Sequence, residues 1–155
     1  MKVETSMFGT IDVRDDQEIK FVQPIIGFPE LLRYVLVDTG GSIKWLQSIR
    51  DATLAFPVVD PFSVKPDYDI EIPTSDAEML GVKNVEEVQL WCITVLSKSK
   101  EEVRANLKAP IVLNRATGEA KQVVLPDSDL PIRYRFLPKA KQRNKEVADY
   151  AGANP

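Results

Sequence analysis

What most restricts this chain is its rhythm: short apolar stretches with a two-residue period, each cut off by a turn signal. "VETSMF" and "TIDV" are divided by Gly9, and "DDQ" turns the chain before "EIKFV". "RYVLVD" runs into the hairpin turn "TGGS" at 39–42, and "IKWLQSI" follows. Then come "LAFPVVD", "YDIEI", the long "VEEVQLWCITVL", "ANLKAPIVLN", "AKQVVL" and finally "IRYRF". Alternation puts successive side chains on opposite faces of an extended chain. Strands recurring every roughly 8–12 residues, with turns between them, lead to an all-β sandwich or barrel.

Helix signals are few. "TSDAEMLGV" at 74–82 offers Thr74 or Ser75 as a cap, an acidic first turn and Gly81 as a stop, which predicts one to two turns of helix. "SKEE" at 99–102 fits a capping box but is too short for more than a turn. At 155 residues the chain fits one domain with a sizeable core. Residues 1–136 carry no linker and no internal repeat, so they read as that domain. Residues 137–155 differ: basic at 139, 141, 143 and 145, poor in apolar residues, and expected to be a frayed helix or disordered. Folding is expected not to need residues 139–155.

Two stretches carry a choice. In "VQLWCITV", Val88, Leu90 and Cys92 face one way and Trp91, Ile93 and Val95 the other, and both sets are apolar. Such a strand is either buried on both sides or presents a binding face; burial is the expectation, with Trp91 in the core. In "ANLKAPIVLN" the period-two set Leu107, Ala109, Ile111 and Leu113 reads as core. Pro110 then points outward on an edge strand, because proline has no N–H to give a ladder. Asn106 and Asn114 bracket the run and serve to end pairing or cap turns.

Composition excludes chemistry more than it suggests any. Histidine is absent, which removes the commonest general base near neutral pH and the commonest imidazole metal ligand. The single cysteine, Cys92, lies in an apolar strand and reads as a buried small side chain, not a nucleophile. Adjacent carboxylates such as Asp15–Asp16 and Glu101–Glu102 sit in polar turns and read as solvated charge. No phosphate-cradling glycine loop is present. The expectation is a protein with no enzymatic activity, no cofactor and no metal. A net charge of −3 disfavours sequence-independent phosphate binding. The first residues, "MKVETSMF", lack the apolar core of a secretion signal, and no stretch has the ~20 apolar residues of a membrane span. A cytoplasmic location with no membrane partner follows as the expectation.

At this point four ordered motifs resemble one family, the flagellar assembly factor FliW. "EIKFVQPIIGFPELLRYVLV" resembles its early Gly-Phe segment after an Ile-x-Phe strand. "WLQSIRDATLAFPVVDPF" is similar to its Leu-Gln-Ser, Ala-Phe and Asp-Pro-Phe run, and "PDYDIEI" to its Tyr-centred strand. "ANLKAPIVLNRATGEAKQVVL" resembles its Asn-Leu-x-Ala-Pro-Ile-x-x-Asn block and the strand beyond. The resemblance is collinear over about residues 2–136. It departs at "QPIIGF", where Pro24 and Ile26 replace the family's usual turn, and beyond Phe136, where nothing matches.

The resemblance implies a small antiparallel β-barrel-like domain, mainly all-β, with one or two short helices. It implies a non-enzymatic regulator that binds the carbon storage regulator CsrA, a translational repressor, and antagonises it. It also implies binding of flagellin in the cytoplasm. An acidic chain suits a basic, RNA-binding partner. No direct nucleic-acid contact is expected, and the chain is expected to be a monomer on its own. The expected partner-binding residues are Gln47, Phe62, Asp67, Tyr68, Asn106 and Pro110. Gln47 either bonds backbone at a bulge or faces a partner. Asp60, before Pro61, is first a turn former, and Phe56 is core. Phe62 and Tyr68 divide between core and contact, since aromatics near loops are enriched at interfaces. Asp67, Asp69 and Glu71 beside Tyr68 supply charge for a basic surface.

A second class stays open: a small-barrel, single-stranded nucleic-acid binder. Its support is "IRYRFLPKAKQRNK", where Tyr134 and Phe136 interleave with Arg133 and Arg135. A solvated basic tail explains the same residues more simply. A third class, an enzyme acting on a sugar or metabolite through paired carboxylates, has no positioned pair to support it.

Overall fold

The computed structural model describes residues 1–126 and 128–139. The strands are β1 (Lys2–Thr5), β2 (Gly9–Asp12), β3 (Ile19–Phe21), β4 (Arg33–Asp38), β5 (Ile43–Ser48) and β6 (Ala55–Val59). After two helices, α1 (Pro61–Val64) and α2 (Thr74–Leu80), come β7 (Val88–Val95), β8 (Arg104–Ala105), β9 (Ile111–Asn114), β10 (Glu119–Gln122) and β11 (Tyr134–Arg135). Most predicted strands form where expected, and the short helix predicted within 74–82 spans Thr74–Leu80. The step from β4 to β5 is the tight turn expected of "TGGS", with Asp38 paired to Lys44 and Gly40 at φ 97°.

β3, β4, β5, β6, β7, β9 and β10 join in that order and close on themselves into a seven-stranded barrel. Every ladder is antiparallel except the closing one, where β10 runs parallel to β3 with Ala120 opposite Phe21. Closure removes the sheet edges that would otherwise template association.

Strand alternation builds three apolar layers from one barrel wall. Tyr34, Leu46, Val58, Trp91, Ile111 and Leu113 point inward with Phe21 and Ala120. Leu90, Cys92 and Val112 point outward and are covered by Tyr68, Leu80, Leu107 and Val123. Val35 and Val37, also outward, are covered by the β1–β2 hairpin through Val3 and Phe8. β7 is thus buried on both faces through Cys92, and Trp91 is 6% exposed in the barrel interior. Phe56, half-buried, packs against that interior edge-on to Phe28.

Four sequence expectations give way. Residues 105–114 are not one strand. The Asn106 side-chain oxygen accepts from the amides of Lys108 and Ala109, both at 3.1 Å, and bends the chain between β8 and β9. Pro110 does not point outward: it is buried, immediately precedes β9, and its carbonyl accepts from Val123 N–H at 2.8 Å. The core set itself stands, with Leu107, Ala109, Ile111 and Leu113 all buried. "YDIEI" alternates between covered and exposed residues but forms no ladder among the described residues. The start of α2 has Pro73 at the cap and no side-chain cap bond, in place of a Thr74 or Ser75 cap; Gly81, at φ 65°, ends it as expected.

α2 is tied to the barrel by polar links as well as by Leu80. Asp76 pairs with Lys121 of β10, both side chains mostly buried. The Asn114 amide donates to the Leu80 carbonyl at 2.9 Å, satisfying an orphan of the helix end, while its oxygen accepts from Ala116 N–H. Of the C-terminal tail, Leu137–Lys139 are described; Lys139 N–H donates to Ser42 Oγ at 2.9 Å. The expectation for the rest of the tail falls on residues 140–155, outside the described residues.

Candidate partner-binding surface

The chain leaves β6 at Asp60 and turns at once into α1. Asp60 Oδ1 accepts from Phe62 N–H at 2.9 Å, and Pro61 occupies the first turn, where its missing N–H costs nothing. Lys65 N–H closes the single turn onto the Pro61 carbonyl at 2.9 Å. A helix this short has little stability of its own. What it achieves is placement: Phe62 stands 49% exposed at the rim of a groove.

Beneath Phe62 lies Tyr68. Their rings meet edge-on, centroids 5.7 Å apart and planes at 79°, a favourable aromatic geometry. Tyr68 is itself 3% exposed, and its hydroxyl donates to the Leu107 carbonyl at 2.8 Å. Burial raises the phenol above its ordinary range, with smaller contributions from neighbouring Cys92. The Cys92 thiol, fully enclosed, is likewise pushed up to about 12 by burial, opposed by its hydrogen bond with Tyr68. Burial holds both groups protonated near neutral pH, so neither is poised as a base or a nucleophile.

Asp67 is exposed and bound to Lys65 Nζ at 2.8 Å. That hydrogen bond, with the charge of Lys65, holds its carboxyl below the usual range. Beyond Tyr68 the extended segment turns Asp69 and Glu71 to solvent and Ile70 and Ile72 toward the barrel. Together with Val82, Val85, Val88 and Leu90 these residues line a groove of about 590 Å³. Val85, at its edge, is 83% exposed.

Of the six residues expected to contact a partner, the fold therefore gathers three: Phe62, Asp67 and Tyr68. Phe62 and Asp67 face solvent, whereas Tyr68 packs beneath Phe62. Gln47 is fully buried, its amide donating to the carbonyls of Ser48 at 3.0 Å and Leu54 at 3.1 Å within the β5–β6 turn, with Asp51 and Ala52 further off. It belongs to that turn and presents no surface. Asn106 shapes the loop that carries the Leu107 carbonyl, so it reaches the groove only through Tyr68. Pro110 is buried at the start of β9. Val82, Val85 and Ile70 were not singled out from the sequence. The alternation of "YDIEI" was the available signal for Ile70, and nothing local marked Val85.

Among the described residues no group of three His, Cys, Asp or Glu side chains is placed to hold a metal ion. Among the same residues no helix is long and apolar enough to cross a membrane.

A closed seven-stranded barrel with an open apolar groove, an exposed aromatic and the carboxylates Asp69 and Glu71 beside it defines a small β-barrel protein. The family model described as "FliW protein" matches residues 2–136. The flagellar assembly factor FliW of Syntrophus aciditrophicus is 40% identical over 139 residues, spanning 88% of each chain. That of Thermotoga neapolitana is 35% identical over 148 residues, covering 94% of this chain and 99% of its own. A crystal structure of the flagellar assembly factor FliW superposes with a TM-score of 0.83 at 30% identity, over 90% of this chain and 99% of that one. The chain belongs to the FliW family, whose matched relatives are flagellar assembly factors.

Proposed function

We propose that this protein acts in flagellar assembly as a non-enzymatic binding regulator, taking up CsrA to relieve translational repression and binding flagellin in the cytoplasm. The observation that carries the reading is the exposed Phe62, held over a groove of Val82, Val85 and Ile70 and rimmed by Asp69 and Glu71. A half-exposed aromatic fixed from below suits an interface anchor, and the acidic rim suits the basic face of an RNA-binding protein. The working unit is residues 1–136, monomeric before it meets a partner, with no cofactor. Linkage supplies the regulation: where flagellin and CsrA draw on the same pool, export of flagellin frees the protein for CsrA.

The test is calorimetric titration of the purified protein with purified CsrA and, separately, with flagellin, alongside a gel shift on RNA. Expected are saturable binding to both proteins and no shift of RNA by this protein alone. A shift of RNA without CsrA, lost at high salt, would instead favour the nucleic-acid reading. Heat of binding to neither protein would overturn the proposal.

A further inference from the structure

Residues 68–72 belong to no strand of either sheet, yet they alternate as a strand does. Tyr68 is buried, Asp69 exposed, Ile70 half-buried, Glu71 exposed and Ile72 half-buried, the alternation of an extended chain with one face on the barrel. Tyr68 N–H is satisfied by the Lys65 carbonyl, and the Pro73 carbonyl by α2 through Ala77. Between them, Asp69, Ile70, Glu71 and Ile72 make no backbone hydrogen bond among the described residues. Backbone groups left without a protein partner are satisfied by water, and a row of them along an alternating segment is a template for another strand.

Grooves flank the row. The one bearing Phe62 and Val85 measures about 590 Å³. The other, against Pro73, Leu125 and Ser128, measures about 420 Å³. Both share Asp69–Ile72 as a wall, so the segment stands as a ridge that can be approached from the side.

We infer that Asp69–Ile72 is an open edge that receives an extended, basic segment of a partner protein by strand addition. Phe62 and Val85 take that segment's apolar side chains in the larger groove. The inference rests on the protein-binding reading above and specifies its geometry. Three features choose the occupant. Backbone pairing along four residues requires an extended segment and not a helix. Asp69 and Glu71, two positions apart on the solvent side, are spaced about 7 Å along the strand, matching lysines or arginines at alternate positions of the incoming chain. Lys83 is the cation in the larger groove's lining, and Lys65 is already engaged by Asp67. A second copy of this chain fits poorly, because pairing this edge with itself sets carboxylates against carboxylates. A nucleic-acid strand is opposed by the same charges.

Amide hydrogen exchange on the full chain, free and saturated with CsrA or with flagellin, tests this. Expected is exchange roughly tenfold or more slower in the complex at alternating amides within Asp69–Ile72. Replacing Asp69→Lys and Glu71→Lys together should abolish that protection and weaken binding at least tenfold, with an unchanged melting temperature. Binding with these amides exchanging as in the free chain overturns strand addition and leaves the protein-binding reading intact. Protection already present in the free chain also overturns it, because the edge would then be filled from within. Undiminished binding by the doubly charge-reversed protein overturns the basic occupant. If neither protein binds at all, the underlying reading fails and this inference falls with it.

Discussion

The Tyr68 hydroxyl donates to the Leu107 carbonyl at 2.8 Å, across 39 residues of chain. This bond joins the extended segment under the groove to the loop between β8 and β9. Its acceptor is set in place by Asn106, whose side chain folds that loop. The floor of the groove is therefore held by a buried polar contact, and Phe62 rests on that floor.

The first prediction follows from that bond. Tyr68→Phe keeps the ring under Phe62 but leaves the Leu107 carbonyl buried without its donor, a loss of about 1–3 kcal/mol. Tyr68→Ala also removes the ring and should cost about 3–5 kcal/mol. Denaturant unfolding measures both. Equal stability of Tyr68→Phe and the parent would mean the hydroxyl contributes nothing. Loss of partner binding in Tyr68→Ala consequently reports on the fold before it reports on contact.

Trp91 tests the barrel interior. It is 6% exposed, and its indole N–H has no partner among the described residues. Trp91→Ala should cost about 3–5 kcal/mol through the cavity it leaves. Trp91→Phe forfeits volume but no hydrogen bond, so it should cost clearly less. Thermal melts of the two variants decide the ordering; a larger loss for Phe than for Ala would contradict the placement.

How far the sequence reveals this architecture depends on the range of the cause. β4 and β5 are legible because their period-two pattern and the turn at 39–42 are local. The same pattern misleads at 105–113, where one side chain, Asn106, breaks the strand: the set stays buried, but Leu107 joins the outer layer while Ile111 and Leu113 point inward. α1 is hidden because Asp60 and Pro61 start a helix with the same residues that start a turn, and it ends after one turn. The parallel closure of β10 on β3 joins residues about a hundred positions apart, which no local pattern encodes. Gln47 reads equally as a backbone partner or a contact, and the carbonyls of Ser48 and Leu54 that the folded turn brings to it decide for the first. Tyr68 stays two-sided for a similar reason, since alternation puts it inward without saying whether anything covers it.

Acid should weaken the protein partly through one pair. Arg33 binds Glu18 with two hydrogen bonds, 2.7 and 2.9 Å, and these lower the Glu18 carboxyl below its ordinary value, against the effect of burial. A carboxyl depressed in the folded state binds protons more readily when unfolded. Its contribution is then present above the unfolded glutamate range, near pH ~4.3, and is lost as pH falls through the lower folded value. Glu18→Gln should reduce stability at pH 7 and flatten the decline on acidification below about pH 4.5. Unfolding curves over that range measure the slope; an identical slope in the variant would show that other carboxylates dominate.

Phe62 gives the cleanest separation of fold from function. It is half exposed, it belongs to a one-turn helix, and the ring it touches is itself secured by Leu107. Truncation to Ala removes little buried area, so the stability cost should stay within about 1 kcal/mol. An aromatic at the rim of an apolar groove, enclosed on binding, should by contrast cost more than ~2 kcal/mol of affinity, which is roughly thirtyfold or more in Kd. The loss should appear mainly as faster dissociation, because charges and not apolar contacts steer the encounter. Asp67→Lys should show the complementary pattern, a slower association that depends on salt, since this carboxylate is exposed beside Lys65. Surface-immobilised CsrA, titrated with each variant at two ionic strengths, reads both rates. If Phe62→Ala folds normally and dissociates from CsrA no faster than the parent, the groove beside Phe62 is not where CsrA binds.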